Sequence, residues 1–169
     1  GLGTREACSN TVRNVTSCPL TGVCPEEIFD ITPWAVAYVR QFVRQEYTHN
    51  MPRKWKTAFS GCTHDWVMTA IHDIGFHAVI REENGEERKG FRIVVGGGTS
   101  IQPLIAQELY DFVPVEDFLK VSEACLRVFN NADELRKNKM KARVKVLVNR
   151  VGIDEFRNMV EKVMRDELA

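Results

Sequence analysis

Two lysines flank a tryptophan in Met51-Pro52-Arg53-Lys54-Trp55-Lys56. If a strand begins at Lys54, side chains alternate along it, so Lys54 and Lys56 share one face and Trp55 takes the other. Two ammonium groups on one face repel, each loses some proton affinity, and an anion or proton-accepting ligand becomes welcome between them. The same spacing also serves a solvated strand edge whose lysines deter pairing with another chain. A third cation, Arg13, sits amid small hydrogen-bonding residues in Asn10-Thr11-Val12-Arg13-Asn14-Val15-Thr16. Its planar fork of donors suits an oxyanion, although a surface arginine reads the same way.

The five cysteines are Cys8, Cys18, Cys24, Cys62 and Cys125, and no two stand four positions apart or closer. Cys18 and Cys24 bracket five residues, a short spacing of the kind iron–sulfur clusters use, but no second nearby pair completes a four-iron set. Packed free thiols are the default reading. His49, His64, His72 and His77 form no H-x-x-x-H or H-x-H pattern, so no metal site is expected. Gly96-Gly97-Gly98 fits close backbone approach to a flat or anionic ligand, and equally a glycine corner at a strand end. It lacks the G-x-x-x-x-G-K of a phosphate loop. The run 136–145 carries six basic residues and no acid, which a solvated helix face, an anionic cofactor or a nucleic acid would each accommodate.

These residues need elements to position them. Thr32-Pro33 reads as a helix entry with Thr as cap and Pro in the first turn, and Ala35, Val39, Phe42 and Val43 continue helical spacing to about Tyr47. Trp55 to Ser60 alternates like a strand. Residues 76–95 read as a hairpin turning at Asn84-Gly85, after which the triple glycine ends the second strand. From Pro114 onward the pattern is helical, with Phe118, Leu119, Ser122, Cys125, Leu126 and Phe129 on one face and Ile153, Phe156, Val160 and Val163 on another. The order strand, helix, strands, helices predicts an α/β or α+β domain, a mixed β-sheet covered by helices.

The chain of 169 residues suits a single domain, 1–169, with its helical C-terminal part at about 114–169. Lys plus Arg and Asp plus Glu both number 23, so no overall field favours a polyanion, and no nucleic-acid partner is expected. No apolar run approaches the roughly 20 residues that span a bilayer, so no membrane partner is expected either. An odd number of cysteines with no secretory segment points to a cytoplasmic protein without a disulfide framework. Gly1-Leu2-Gly3-Thr4-Arg5 runs straight into the Arg13 motif and reads as a cut inside a longer protein.

Taken in order, the motif at 10–16, Met-Pro-Arg-Lys-Trp-Lys at 51–56, Val-Val-Gly-Gly-Gly-Thr-Ser at 94–100 and the basic stretch before Arg150-Val151-Gly152 resemble the nitrite and sulfite reductase haemoprotein family over essentially the whole chain. The resemblance implies a sirohaem beside a four-iron (4Fe-4S) cluster, and six-electron reduction of sulfite to sulfide or nitrite to ammonia, as in the assimilatory-type enzymes. It implies that Arg13, Lys54 and Lys56 line the distal face, bind the anion and supply protons as oxygen leaves as water. It places Asn14, Gly96, Gly97, Gly98 and Thr99 against the cofactor, with Lys137, Lys141, Arg143 and Lys145 as candidates to pair the macrocycle's carboxylates. In the family the cluster ligands read Cys-x5-Cys and Cys-x3-Cys in a separate module; this chain has no Cys-x3-Cys, and Cys18 and Cys24 lie elsewhere in the order. The expectation is a sirohaem-facing domain that binds no cofactor alone and is inactive alone. The rest of the reductase chain, with its cluster module, and an electron-donor protein or flavoprotein would be its partners. Two other readings stand beside it: an iron–sulfur or redox module built on Cys8, Cys18, Cys24 and Cys62, and an anion- or nucleic-acid-binding domain built on 136–145.

Overall fold

The computed structural model describes residues 6–83 and 85–168. Residues 1–5, read above as a cut edge, and Asn84 of the Asn-Gly turn lie outside the described residues. Five strands form one sheet in sequence order: β1 (Val12–Ser17), β2 (Trp55–Ser60), β3 (Ile74–Glu83), β4 (Glu86–Val95) and β5 (Gln107–Pro114). β1, β2 and β3 run parallel, whereas β3, β4 and β5 run antiparallel, so the sheet is mixed as expected. The hairpin closes at Glu83 opposite Glu86, with Gly85 at φ +82° in the turn. The positive φ is costly for any residue with a Cβ.

Alternation decides which face is core. Trp55, Thr57 and Phe59 are fully buried on one face of β2, Phe59 stacks on Phe76 of β3 at 4.4 Å, and Phe91 of β4 meets both edge-on at 5.7 Å. Helices α1 (Thr32–Phe42) and α2 (Phe118–Asn130) cover this face: Tyr38 packs against Phe59 and Phe76, and Phe129 against Trp55. The C-terminal helices α4 (Val144–Val151) and α5 (Ile153–Asp166) complete the layer, with α5 against α2 and β5. The opposite face carries Lys56, and the connection from β2 to β3 packs over its far part through a 3-10 turn at Thr69–Ile71. Two layers around one core result.

Four sequence expectations are corrected. Thr32 is not the cap of α1: Ile31 holds that position, and Asp30 Oδ1 accepts the Thr32 N–H at 2.8 Å, a carboxylate being the stronger acceptor. That helix ends at Phe42 rather than Tyr47, because Arg44 turns left-handed at φ +71° and Glu46–Thr48 forms a 3-10 turn. β5 was not anticipated: Leu109 and Val113 point inward, but two register shifts against β4 break the alternation that would have shown it. The basic run 136–145 is not one helix face. It is cut into the end of α3 (Asp133–Arg136), a 3-10 turn at Lys139–Lys141 capped by Asn138, and the start of α4.

Candidate functional site

Trp55 fixes the lysines. Its indole N–H donates to Tyr38 Oη at 3.0 Å, its ring lies on Phe129, and its backbone N–H reaches Thr11 O at 3.0 Å. With Trp55 locked in the core, Lys56 faces outward from β2 and is exposed, while Lys54, just before the strand, is half-buried. In the next strand Val12 pairs with Trp55 and Val15 with Thr57, so Arg13 and Asn14 together oppose the single position of Lys56. Such a bulge re-aims side chains. The Arg13 guanidinium is steadied by Ser9 O at 2.9 and 3.1 Å and by Cys8 Sγ at 3.9 Å.

Lys54 feels the charge of its neighbours. Burial, then the charges of Arg143, Lys56, Arg13 and Arg53, hold the Lys54 ammonium below the ordinary lysine range. Beside Lys54 opens a cavity of about 190 Å³ lined by Arg53, Lys54, Lys139, Lys141, Arg143 and Lys145, together with Ser100 and Gln102 and no carboxylate. Its volume is below the roughly 300 Å³ at which pockets for drug-sized ligands begin, so it suits an anionic arm of a larger ligand or a small oxyanion.

Asp73 anchors one wall. It is fully buried, accepts Arg143 Nε at 2.9 Å and Nη2 at 2.8 Å, and accepts the Lys56 backbone N–H at 2.8 Å on Oδ2. Its own backbone returns to Lys56 O at 3.1 Å and receives the Gly96 N–H at 3.0 Å. Burial pushes the carboxyl up, while Arg143 and the Lys56 amide pull it back. Lys145, also buried, donates to Thr99 O at 2.8 Å and to Gln102 O, which pins the loop after the glycines over the cavity. Desolvation and the Arg143 charge lower its proton affinity too.

The triple glycine serves this packing. Gly96 is left-handed at φ +85°, and a Cβ on Gly97 would stand 2.2 Å from Ala70 O, closer than any real contact. At Gly98 the neighbours would be Lys145 Cδ at 3.2 Å and Arg143 Nη2 at 3.4 Å, so this residue touches the cavity wall itself. Of the sequence candidates, Lys54, Lys141, Arg143 and Lys145 line the cavity and Thr99 contributes its carbonyl, whereas Arg13 and Lys56 do not line it and bear on Lys54 only through their charge. Asn14 and Lys137 are exposed and do not line it. Arg53 and Lys139 were passed over although both stand inside the basic motifs. Asp73 gave no signal, because a lone aspartate in Ile71-His72-Asp73-Ile74 has no pattern to mark it.

The other candidate chemistry is dispersed. His72 Nδ1 pairs with Met68 O at 2.9 Å, and His77 Nε2 with Thr69 Oγ1 at 2.6 Å. All five cysteines are free thiols; Cys24 and Cys62 lie with sulfurs 3.8 Å apart. Among the described residues no group of three or more His, Cys, Asp or Glu could hold a metal ion, and no helix is long and apolar enough to cross a membrane.

Comparison with known proteins gives a consistent answer. The family described as "Nitrite and sulphite reductase 4Fe-4S domain" matches residues 8–168. Sulfite reductase (ferredoxin) 1 of Mycolicibacterium paratuberculosis is 36% identical over 162 residues, which is 96% of this chain and 28% of the relative. An assimilatory ferredoxin-dependent nitrite reductase of Haloferax mediterranei is 29% identical over 168 residues, 98% of this chain and 28% of the relative. The solved structure of Mycobacterium tuberculosis NirA superposes with TM-score 0.86 at 35% identity, covering 96% of this chain and 29% of that one. A dissimilatory sulfite reductase I structure shares the fold, with TM-score 0.71 at 13% identity. The chain thus spans under a third of the length of the relatives it matches.

Proposed function

This chain belongs to the nitrite and sulphite reductase 4Fe-4S domain family, and from that membership we propose that it forms the sirohaem- and anion-facing wall of an assimilatory-type reductase of sulfite or nitrite. The observation that carries the reading is the basic cavity lined by Arg53, Lys54, Lys139, Lys141, Arg143 and Lys145 with no carboxylate, beside strands that set Arg13 opposite Lys56. Fixed cations that cannot relax away stabilise charge gathered in the site without reorganisation.

Arg13, Lys54 and Lys56 bind the oxyanion. Reduction of sulfite to sulfide takes six electrons and six protons and releases three waters, so each departing oxygen needs two protons. Lys54, whose burial and cationic neighbours already weaken its hold on a proton, gives one to the leaving oxygen and regains it from solvent. Sirohaem, when bound, supplies the metal that holds the anion and passes the electrons. Arg53, Lys139 and Lys141 hold its carboxylate arms in the basic cavity. Arg143 and Lys145 shape that cavity from behind, Arg143 with its Nε and Nη2 edge on Asp73 and Lys145 with its ammonium on Thr99 O and Gln102 O.

The four-iron cluster does not fit the described residues, which offer no grouped set of three ligands. Its thiolates belong, on this reading, to the remainder of a longer chain, and the domain alone is inactive. The electron donor is of the ferredoxin or flavoprotein class, and five free thiols suit a reducing cytoplasm. The nucleic-acid reading of 136–145 is not preferred, because Arg136, Arg143 and Lys145 of its six basic residues are engaged with this chain's own groups.

The test is the full-length reductase assayed with sulfite and with nitrite, intact and with Arg13→Ala or Lys56→Ala. The expected result is a loss of about 100-fold or more in kcat/KM for each variant. Unchanged kcat/KM in both variants with both anions overturns the assignment.

A further inference from the structure

We propose that Cys24 and Cys62 form a reversible disulfide-forming pair, an oxidation site separate from the cation cluster. The two sulfurs are 3.8 Å apart, with the Cys62 thiol donating toward Cys24. Cys62 follows the last residue of β2 by two positions, whereas Lys54 precedes the first by one. Six strand residues at about 3.3 Å each put roughly 20 Å between the two sites.

The backbone already holds the partners in place. Glu27 and Cys62 form an isolated antiparallel bridge, and Ile28 N–H donates to Gly61 O at 2.7 Å. Glu27 N–H reaches back to Cys24 O at 3.1 Å, and the Glu27 carboxylate fastens the turn through the Gly22 N–H at 2.8 Å and the Thr21 hydroxyl. Closing the sulfurs to the roughly 2.05 Å of a disulfide therefore asks for side-chain rotation and a small approach of two pinned segments. Cys18 is a buried neighbour close enough to bear on the Cys62 thiol.

Access sets the order of events. Cys24 is half-buried, while Cys62 is 3% exposed and its thiol is pushed up to about 12, first by burial and then by Cys24. Cys24 is the sulfur that meets a small-molecule disulfide. Its thiolate attacks one sulfur, the external S–S bond breaks, and one thiol leaves with a proton. Cys62 then gives up its proton and displaces the second thiol, forming the Cys24–Cys62 bond. The two cysteines lose two electrons and two protons in all, and the external disulfide becomes two thiols. The new bond closes a loop that contains α1, Lys54 and Lys56, so oxidation braces the anion-facing wall from its far end.

The experiment incubates the native protein in glutathione buffers of graded oxidised-to-reduced ratio, followed by intact mass and non-reduced peptide mapping. The expected result is loss of two hydrogens, a linked peptide pair carrying Cys24 and Cys62, reversal by dithiothreitol, and persistence of the link in Cys18→Ser. Cys62→Ser should trap a glutathione adduct on Cys24. A link through Cys18 instead, or separate adducts on Cys24 and Cys62 of the unsubstituted protein with no link between them, overturns the proposal; this mapping needs no variant to fold.

Discussion

Arg143 grips Asp73 with two prongs, Nε to Oδ1 at 2.9 Å and Nη2 to Oδ2 at 2.8 Å, at the point where the start of β2, the entry to β3, the end of β4 and the head of α4 meet. Asp73 is fully buried and the Arg143 side chain is 13% exposed, so solvent screens the pair little. The arginine thereby serves the fold with one edge and presents the rest of its charge toward Lys54.

Removing one partner of such a pair leaves the other charge buried and uncompensated, which costs about 3–5 kcal/mol. Arg143→Met should therefore lower the unfolding free energy read from urea titration by that amount, and Asp73→Asn by less, since the amide keeps the shape and an acceptor. Equal midpoints for Arg143→Met and the parent protein would show that the pair does not hold the strands together.

How much of this was legible follows from which signals are local. The alternation around Trp55 put its ring in the core and Lys56 outside, and the hairpin read at 76–95 was written in its turn residues and β-rich runs. The Arg13–Asn14 bulge, the register shifts that hide β5, and the Arg143–Asp73 pair across 70 positions depend on strands meeting, which no local pattern records. The same holds for 136–145. Six basic residues look alike in sequence, yet Lys145 is buried and pins a loop, Lys141 faces the cavity, and Lys137 is exposed away from it.

The glycine run offers a contrast that separates packing from ligand approach. Gly97→Ala drives a Cβ to 2.2 Å from the Ala70 carbonyl, a backbone atom that cannot swing away, and should cost about 3 kcal/mol. Gly98→Ala meets the flexible Lys145 chain at 3.2 Å and should cost under about 1 kcal/mol while disturbing the cavity wall. Thermal unfolding of both variants checks the pair, and the reverse ranking refutes it.

His77 should shape the acid limb of stability. Burial and the Arg92 charge hold its imidazolium below the ordinary value of 6.5, and Asp65 opposes them only in part. A histidine with a depressed folded pKa contributes stability that is present above 6.5, where both states are neutral, and is lost as pH falls and the unfolded chain protonates first. Comparing His77→Gln with the parent from pH 7.5 down to about 5 should show a shallower decline in the variant. Parallel curves would mean that His77 titrates alike in both states.

Lys54 joins function to instability. Burial, and after it the charges of Arg143, Lys56, Arg13 and Arg53, depress its folded pKa, so its protonation is less favourable in the folded than in the unfolded protein. The stability linked to this group is complete only above the ordinary value of 10.5 and is lost as pH falls through the lower folded value; at neutral pH the charged Lys54 is a net liability. Lys54→Met should therefore raise neutral-pH stability by about 0.5 kcal/mol, a size set by solvent screening of a half-exposed group. An oxyanion placed among these cations reverses the sign, because it relieves the repulsion it finds. Added sulfite should raise the melting temperature of the parent protein more than that of Lys54→Met, and the gap should shrink as salt is added. If the variant is less stable in the absence of anions, or gains as much from sulfite as the parent does, Lys54 is a packing residue and the cations around it do not form one site.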